Sequence, residues 1–231
     1  MTYDSSALPD VSGLSVGIIG GTGPQGRGLA YRFARAGQRV LVGSRSTERG
    51  EQAAQELAEL PGVAAGTVAG GDNAFAAGAD VVVIAVPWEG HAATVAELAP
   101  HLTGGKVVVD CVNPLGFDKQ GPFPLRVEEG SAAEQAAGLL PDARVCAAFH
   151  HVSAVLLADP EVDEVDLDVL VLGDDREAAL QVQALAGRIN GMRGVFAGRL
   201  RNAGQVEALT ANLIAINKRY KAHAGIRVTD L

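Results

Sequence analysis

The amino-acid sequence predicts a doubly wound α/β fold, a parallel sheet of the Rossmann type with a second, smaller C-terminal lobe. From Leu14 onward, short β-branched apolar runs alternate with amphipathic stretches, and the first run leads at once into a glycine-rich turn. The 231 residues include 29 glycines but only 4% aromatics. Continuous apolar strands belong to sheets buried on both faces. Glycine at that level without a collagen period belongs to tight turns and close backbone approaches.

The elements follow in order. Residues 15–20 form a buried strand, and residues 24–36 form a helix with Leu29, Ala30, Phe33 and Ala34 at helical spacing, stopped by Gly37. Residues 39–43 are the second strand, 47–60 a Glu/Gln/Ala-rich helix, 63–68 a weaker strand and 72–78 a short helix. Residues 80–86 are a strong buried strand, followed by a helix over 88–102 and a strand over 106–110. Residues 113–130 hold Pro114, Gly116, Gly121, Pro122, Pro124 and Gly130, breakers that predict a long surface loop. Ser131 and Glu134 make a capping box for the next helix, and 143–149 is the sixth strand. The predicted organisation is a disordered polar tail over 1–13, a main domain over 14–150 and a smaller lobe over 151–231. That lobe has a strand over 167–172, a helix over 174–189, a strand near Val195 and a final helix from Ala203 to about Tyr220. Val206, Leu209, Leu213, Ile214 and Ile216 share one broad face of the last helix, suited to core packing or to a dimer seam.

A net charge of −8 leaves no electrostatic footprint for wrapping a polyanion, which argues against nucleic acid or an anionic membrane as partner. Cys111 and Cys146 stand far apart and outside any ligand spacing, so neither a metal site nor a disulfide is expected. No run approaches the roughly 20 apolar residues of a membrane span. The first residues lack the basic and apolar regions of a signal peptide, and a cytoplasmic protein is expected.

Gly21-Thr22-Gly23-Pro24-Gln25-Gly26 satisfies GxGxxG between a predicted strand and a predicted helix. There the first glycine permits the turn, the second admits a pyrophosphate, the third allows helix and strand to touch, and the helix N-terminus favours the anion. The second strand ends Gly43-Ser44-Arg45, without the carboxylate that would accept a ribose 2′-hydroxyl. Ser44, Arg45, Arg49 and Thr22 instead suit a 2′-phosphate, so NADP is expected over NAD. Val86, Pro87 and Trp88 follow the fourth strand at the ligand-binding edge, with Trp88 equally suited to core packing. His150 and His151 follow the sixth strand at the same edge; consecutive residues face opposite ways, so one of them is expected at the site. His91, His101 and His223 show no pattern and are read as structural. GxSxG, HExxH, GxxxxGK[ST] and Tyr-x-x-x-Lys are all absent, so no proton-donating side chain is evident.

Gly20 to Ala30, Gly43-Ser44-Arg45, Val86-Pro87-Trp88-Glu89, Ala148-Phe149-His150-His151 and Val206-Glu207-Ala208-Leu209-Thr210 together resemble the NADPH:F420 oxidoreductases, or F420-dependent NADP reductases. The resemblance runs in order from about Val16 to the last helix. It implies a cytoplasmic homodimer that moves hydride reversibly between NADP(H) and the deazaflavin coenzyme F420 as co-substrate, by orientation and stacking without a catalytic side chain. It further implies that Thr22, Ser44, Arg45 and Arg49 hold the 2′-phosphate. Val86 and Pro87 would border the nicotinamide, and His150, Val152 and Ser153 the deazaflavin. Lys119, Arg126, Arg199 and Arg201 are candidates for the acidic tail of F420. The residues alone leave open another small NADP-dependent reductase of an imine, a flavin or ferric iron, or a nonenzymatic NADP-sensing module.

Overall fold

The computed structural model describes residues 4–231. Its elements in chain order are β1 Ser15–Ile19, α1 Pro24–Arg35, β2 Arg39–Ser44, α2 Thr47–Ala58, β3 Val68–Asp72, α3 Asn73–Ala77, β4 Val81–Ile84, α4 His91–Leu98 and β5 Val107–Asp110. There follow β6 Leu115–Asp118, β7 Gly121–Pro124, α5 Ala132–Leu139, β8 Arg144–Ala147, α6 Ala154–Ala158, β9 Leu167–Gly173, α7 Arg176–Ala186, β10 Met192–Gly198 and α8 Ala203–Tyr220. One eight-stranded sheet has the order β10-β9-β8-β5-β4-β1-β2-β3. The six strands from β3 to β8 are parallel, as a doubly wound fold requires. β9 joins β8 antiparallel and β10 runs parallel to β9, so the C-terminal lobe extends the same sheet.

Alternation along the strands sorts the core into two layers. Val81 and Val83 of β4 pack with residues of α1, α2, α6 and α7, whereas Val82 and Ile84 pack with residues of α3, α4, α5 and α8.

Several sequence expectations are corrected. The 113–130 segment is not a structureless loop: β6 and β7 form a hairpin, Leu115 opposite Pro124 and Asp118 opposite Gly121. The Asp118 carboxylate accepts from Gln120 N and Gly121 N and builds the turn. Pro122 and Pro124, two residues apart, can share the outer edge of a two-stranded ribbon, where a missing N–H costs nothing. The third strand lies at Val68–Asp72 rather than 63–68 because its centre is Gly70-Gly71, invisible to an apolar pattern. A Cβ at Gly70 would stand 2.0 Å from Gly50 O, so glycine there lets α2 press onto the strand. The helix expected over 88–102 is divided into a 3-10 turn, α4 and a second 3-10 turn.

In the tail expected to be disordered, Leu8 is half-buried against the core and Val11 is buried, while the neighbouring described residues are mostly exposed; residues 1–3 lie outside the described residues. Val11 is 3% exposed within the core, and Gln38 Nε2 donates to Val11 O at 2.9 Å and to Leu14 O at 2.8 Å. Among the described helices none is long and apolar enough to cross a membrane.

α6 and the turn after it are held by Arg32 of α1. The Arg32 guanidinium donates to Leu157 O at 2.8 Å, Val162 O at 2.6 Å, Asp159 O at 2.9 Å and Leu156 O. Buried carbonyls stripped of a charged donor cost about 1–3 kcal/mol each, partly relieved by relaxation. Arg32→Met is therefore expected to lower unfolding free energy by roughly 3 kcal/mol, read from the urea midpoint at unchanged m-value.

Candidate active site at the carboxyl edge of the sheet

The turn from β1 into α1 opens at the carboxyl ends of the parallel strands. A Cβ at Gly21 would meet Val42 Cγ1 at 2.8 Å, and one at Gly26 would meet Gly20 O at 2.6 Å, so both glycines are demanded by the protein's own packing. Gly23 differs. Its φ is −77°, and a Cβ there would find only Gly20 O at 3.4 Å, an ordinary contact. Protein packing therefore leaves Gly23 open on its outer side, as a close-approaching phosphate requires. Gly23 also caps α1 without a side-chain hydrogen bond, with Pro24 at the start of the helix.

A cleft of about 510 Å³ runs from this turn across the ends of β2 and β4, lined by Gly20, Thr22, Gly23, Ser44, Arg45, Arg49, Asn73, Ala85, Val86, Pro87, Glu89, Gly90 and Thr94. Ser46 caps α2 by accepting from Arg49 N at 3.3 Å, which sets Arg49 one turn beyond Arg45. Arg45 and Arg49 are exposed, and neither guanidinium has a hydrogen bond or ion pair to any described residue. Two cations without a hydrogen-bonded or ion-paired protein partner thus line the cleft with Ser44, and Glu89 lines it too.

A second cavity of about 200 Å³ adjoins it, lined by Gln25, Ala85, Val86, Pro87, Trp88, Cys111, Val112 and Asn113. Ala85, Val86 and Pro87 line both spaces. Burial pushes the Cys111 thiol well up, so this wall holds no thiolate. Gln25 Nε2 donates to Phe149 O at 3.3 Å, tying the glycine turn to the end of β8. Phe149 is buried with φ +64°, a left-handed conformation rare for an aromatic residue.

His150 and His151 point apart and both are buried. His151 Nε2 accepts from Leu170 N at 3.3 Å, facing the C-terminal strands. The His150 carbonyl accepts from Asn113 Nδ2 at 2.8 Å and Thr210 Oγ1 at 3.1 Å, but both its ring nitrogens are without a partner among the described residues. Burial pushes each imidazole down to about 4, opposed for His150 by the Asp110 charge and reinforced for His151 by His150. Of the expected nucleotide residues, Thr22, Gly23, Ser44, Arg45, Arg49, Val86 and Pro87 line the cleft and Gln25, Val86, Pro87 and Trp88 the adjoining cavity, whereas Gly21, Pro24 and Gly26 line neither. His150, Val152 and Ser153 do not line either of them. Val152 is in the core, and Ser153 Oγ lies 3.5 Å from His223 Nδ1.

Residues 15–114 match the family model described as NADP oxidoreductase, coenzyme F420-dependent. Over 225 residues the chain is 41% identical to the F420-dependent NADP reductase of Methanothermobacter thermautotrophicus, covering 94% of this chain and 96% of that protein. The chain belongs to the F420-dependent NADP reductase family. A second such reductase, from Methanothermobacter marburgensis, is 38% identical over 94% of this chain and 99% of its own. A solved structure from Arthrobacter sp. fb24, provisionally described as an F420-dependent NADP reductase, superposes with TM-score 0.75 at 27% identity, covering 94% of this chain and all of that one. The protein is thus an NADP-dependent oxidoreductase of this family.

In this F420-dependent NADP reductase family member, single-residue reasoning missed a buried polar set around the cavity. His91, read as structural for want of a pattern, meets Asp110 and Gln135 at hydrogen-bonding distance. Glu207 of α8 accepts from Ala132 N at 3.0 Å and Ala133 N at 3.2 Å at the start of α5; burial pushes its carboxyl up to about 7 against those two donors. Only an acidic residue on an otherwise apolar helix face could have signalled it.

The buried histidines predict acid sensitivity. Both keep folded values near 4, below the ordinary 6.5, so the unfolded chain takes up protons between about pH 6.5 and 4 that the folded chain refuses. Stability is expected to be flat with respect to these groups above that window. It should fall within the window by on the order of 1 kcal/mol per pH unit for each histidine. Urea titrations across pH 4–7 check this, with a shallower fall expected for His151→Gln.

Proposed function

We propose that this protein transfers hydride reversibly between the nicotinamide of NADP(H) and the deazaflavin of coenzyme F420, acting as a homodimer. The observation that carries the reading is the sharing of Ala85, Val86 and Pro87 by the cationic cleft and the adjoining cavity, which lets two flat rings meet over one strand end. Open Gly23 and the unpaired Arg45 and Arg49 support a phosphorylated dinucleotide in the larger space. The names of the relatives support F420 as its partner.

In this reading Gly21 and Gly26 shape the turn, while Thr22, Gly23, Pro24 and the helix start receive the pyrophosphate. Ser44, Arg45 and Arg49 grip the 2′-phosphate and reject a dinucleotide without one. Val86 and Pro87 seat the nicotinamide, and Gln25 and Trp88 close the cavity in which the second ring lies. When bound, the two coenzymes supply the hydride donor and acceptor themselves. The chain orients them, a contribution of roughly 7–11 kcal/mol in well-aligned pairs. His150, pushed down to about 4, is neutral at neutral pH and serves as shape rather than acid. With Val152 and Ser153 it flanks the deazaflavin in this reading, and Asn113, which lines the cavity, holds the His150 carbonyl through its amide.

Mixing purified protein with NADPH and F420 is expected to bleach the visible absorbance of the oxidised deazaflavin, with NADH and FMN as inactive controls. Tight NADPH binding without bleaching would overturn the reaction. Arg45→Asp is expected to raise the Kd for NADPH by on the order of 100-fold while changing that for NADH by less than about threefold. An equal loss for both would remove Arg45 from the phosphate site.

A further inference from the structure

Behind Trp88 lies a buried polar set that the reaction above leaves unused. His91, the first residue of α4, has no exposed surface, and its Nε2 stands 2.6 Å from Asp110 Oδ2 while its Nδ1 stands 2.9 Å from Gln135 Oε1. The far end of Gln135 decides its orientation. Its Nε2 amide donates to Glu129 Oε1 at 3.1 Å, so the amide oxygen faces the imidazole. Both ring nitrogens therefore face oxygens, an arrangement that a doubly protonated imidazolium satisfies by donating to each.

The charged groups around the ring agree. Burial opposes the cation, but the Asp110 hydrogen bond and charge, with help from Gln135 and from Glu207 of α8, hold His91 above its ordinary value. The indole of Trp88 stacks on this ring with centroids 5.5 Å apart and planes at 29°, a cation against a π face. Asp110 links two residues that line the cavity, Trp88 and Val112: Oδ2 meets His91, on which Trp88 stacks, and Oδ1 accepts from Val112 N at 3.0 Å.

We propose that His91, gripped between Asp110 and Gln135, is a positioning residue that fixes Trp88 as a rigid wall of the second cavity and so sets where the second coenzyme's ring lies against Val86 and Pro87. The part concerning the coenzyme rests on the function proposed above, whereas the part concerning Trp88 stands without it.

Trp88 is the protein's one tryptophan, so emission of the ligand-free chain reports this indole alone. His91→Gln is expected to raise acrylamide quenching of Trp88 at least about twofold by removing the stacked cation. It should also raise the KM for F420 at least about fivefold, with NADPH affinity held within about twofold. Gln135→Met, at a half-buried position, removes one acceptor and leaves the Asp110 pair; it carries the test if His91→Gln does not fold, and quenching should rise there too. In the unaltered protein, ¹⁵N spectra at about pH 7.5 should show both His91 nitrogens protonated. A neutral imidazole there, or unchanged quenching in a folded variant, would overturn the positioning role. Increased quenching in a protein that never bleaches F420 would uphold the Trp88 half and overturn only the coenzyme half.

Discussion

The parallel pairing of β4 between β1 and β5 is the constraint on which the site depends. Ile19 stands beside Ile84, Ile84 beside Asp110 and Asp110 beside Ala147. The ladder runs one residue further, with Ala85 N donating to Ile19 O, Cys111 N to Ile84 O and Ala148 N to Asp110 O. Four strands therefore end level, and the four segments that leave them begin along one line. A slip of one residue would exchange Val83 and Ile84 between the two apolar layers, so burial on both faces enforces the register. The glycine turn, the Val86–Pro87 floor, the Cys111–Asn113 wall and the His150 carbonyl are all consequences of that level edge.

Around this edge, polar groups are buried only where distant segments meet them. Asp110 closes β5 between His91 of α4 and Val112, and Glu207 pins α8 to the start of α5. Arg32 holds the turn after α6. A buried charge without partners costs several kcal/mol, so each of these residues ties its element to one position. His150 is the exception in having no ring partner, and burial resolves its cost by holding it neutral.

The two adjoining spaces differ in chemistry. The larger has two cations without protein partners and a backbone turn kept open at Gly23; the smaller has apolar and aromatic walls and two carboxamides, Gln25 and Asn113. In the proposed function charge selects and anchors in the first, whereas shape governs the second. Since Val86 and Pro87 belong to both, whatever is anchored in one space is held at a defined distance from whatever fills the other.

Local sequence was enough for the parts of this molecule whose reasons are local. Val81-Val82-Val83-Ile84 is a buried strand because β-branched runs prefer the pleated interior. Gly21-Thr22-Gly23-Pro24-Gln25-Gly26 is a strand-to-helix turn because other residues collide there. Gly43-Ser44-Arg45 brings a hydroxyl and a guanidinium to the cleft because β2 itself ends there without a carboxylate. The family resemblance rests on the last two of these and on Val86–Glu89, Ala148–His151 and Val206–Thr210. Only the tertiary structure decided the rest. The β6–β7 hairpin hides in a segment full of breakers because its strands pair only with each other and β7 rests on the distant helix α8, and Gly70-Gly71 forms a strand because α2 lies upon it. Val11 is buried because Gln38, 27 residues on, captures its carbonyl. His91, Asp110 and Gln135 carry no common motif, yet they meet because α4, β5 and α5 converge on one edge. A hydrogen bond across a sheet edge depends on position in space, and spacing along the chain records it only when both partners belong to one element.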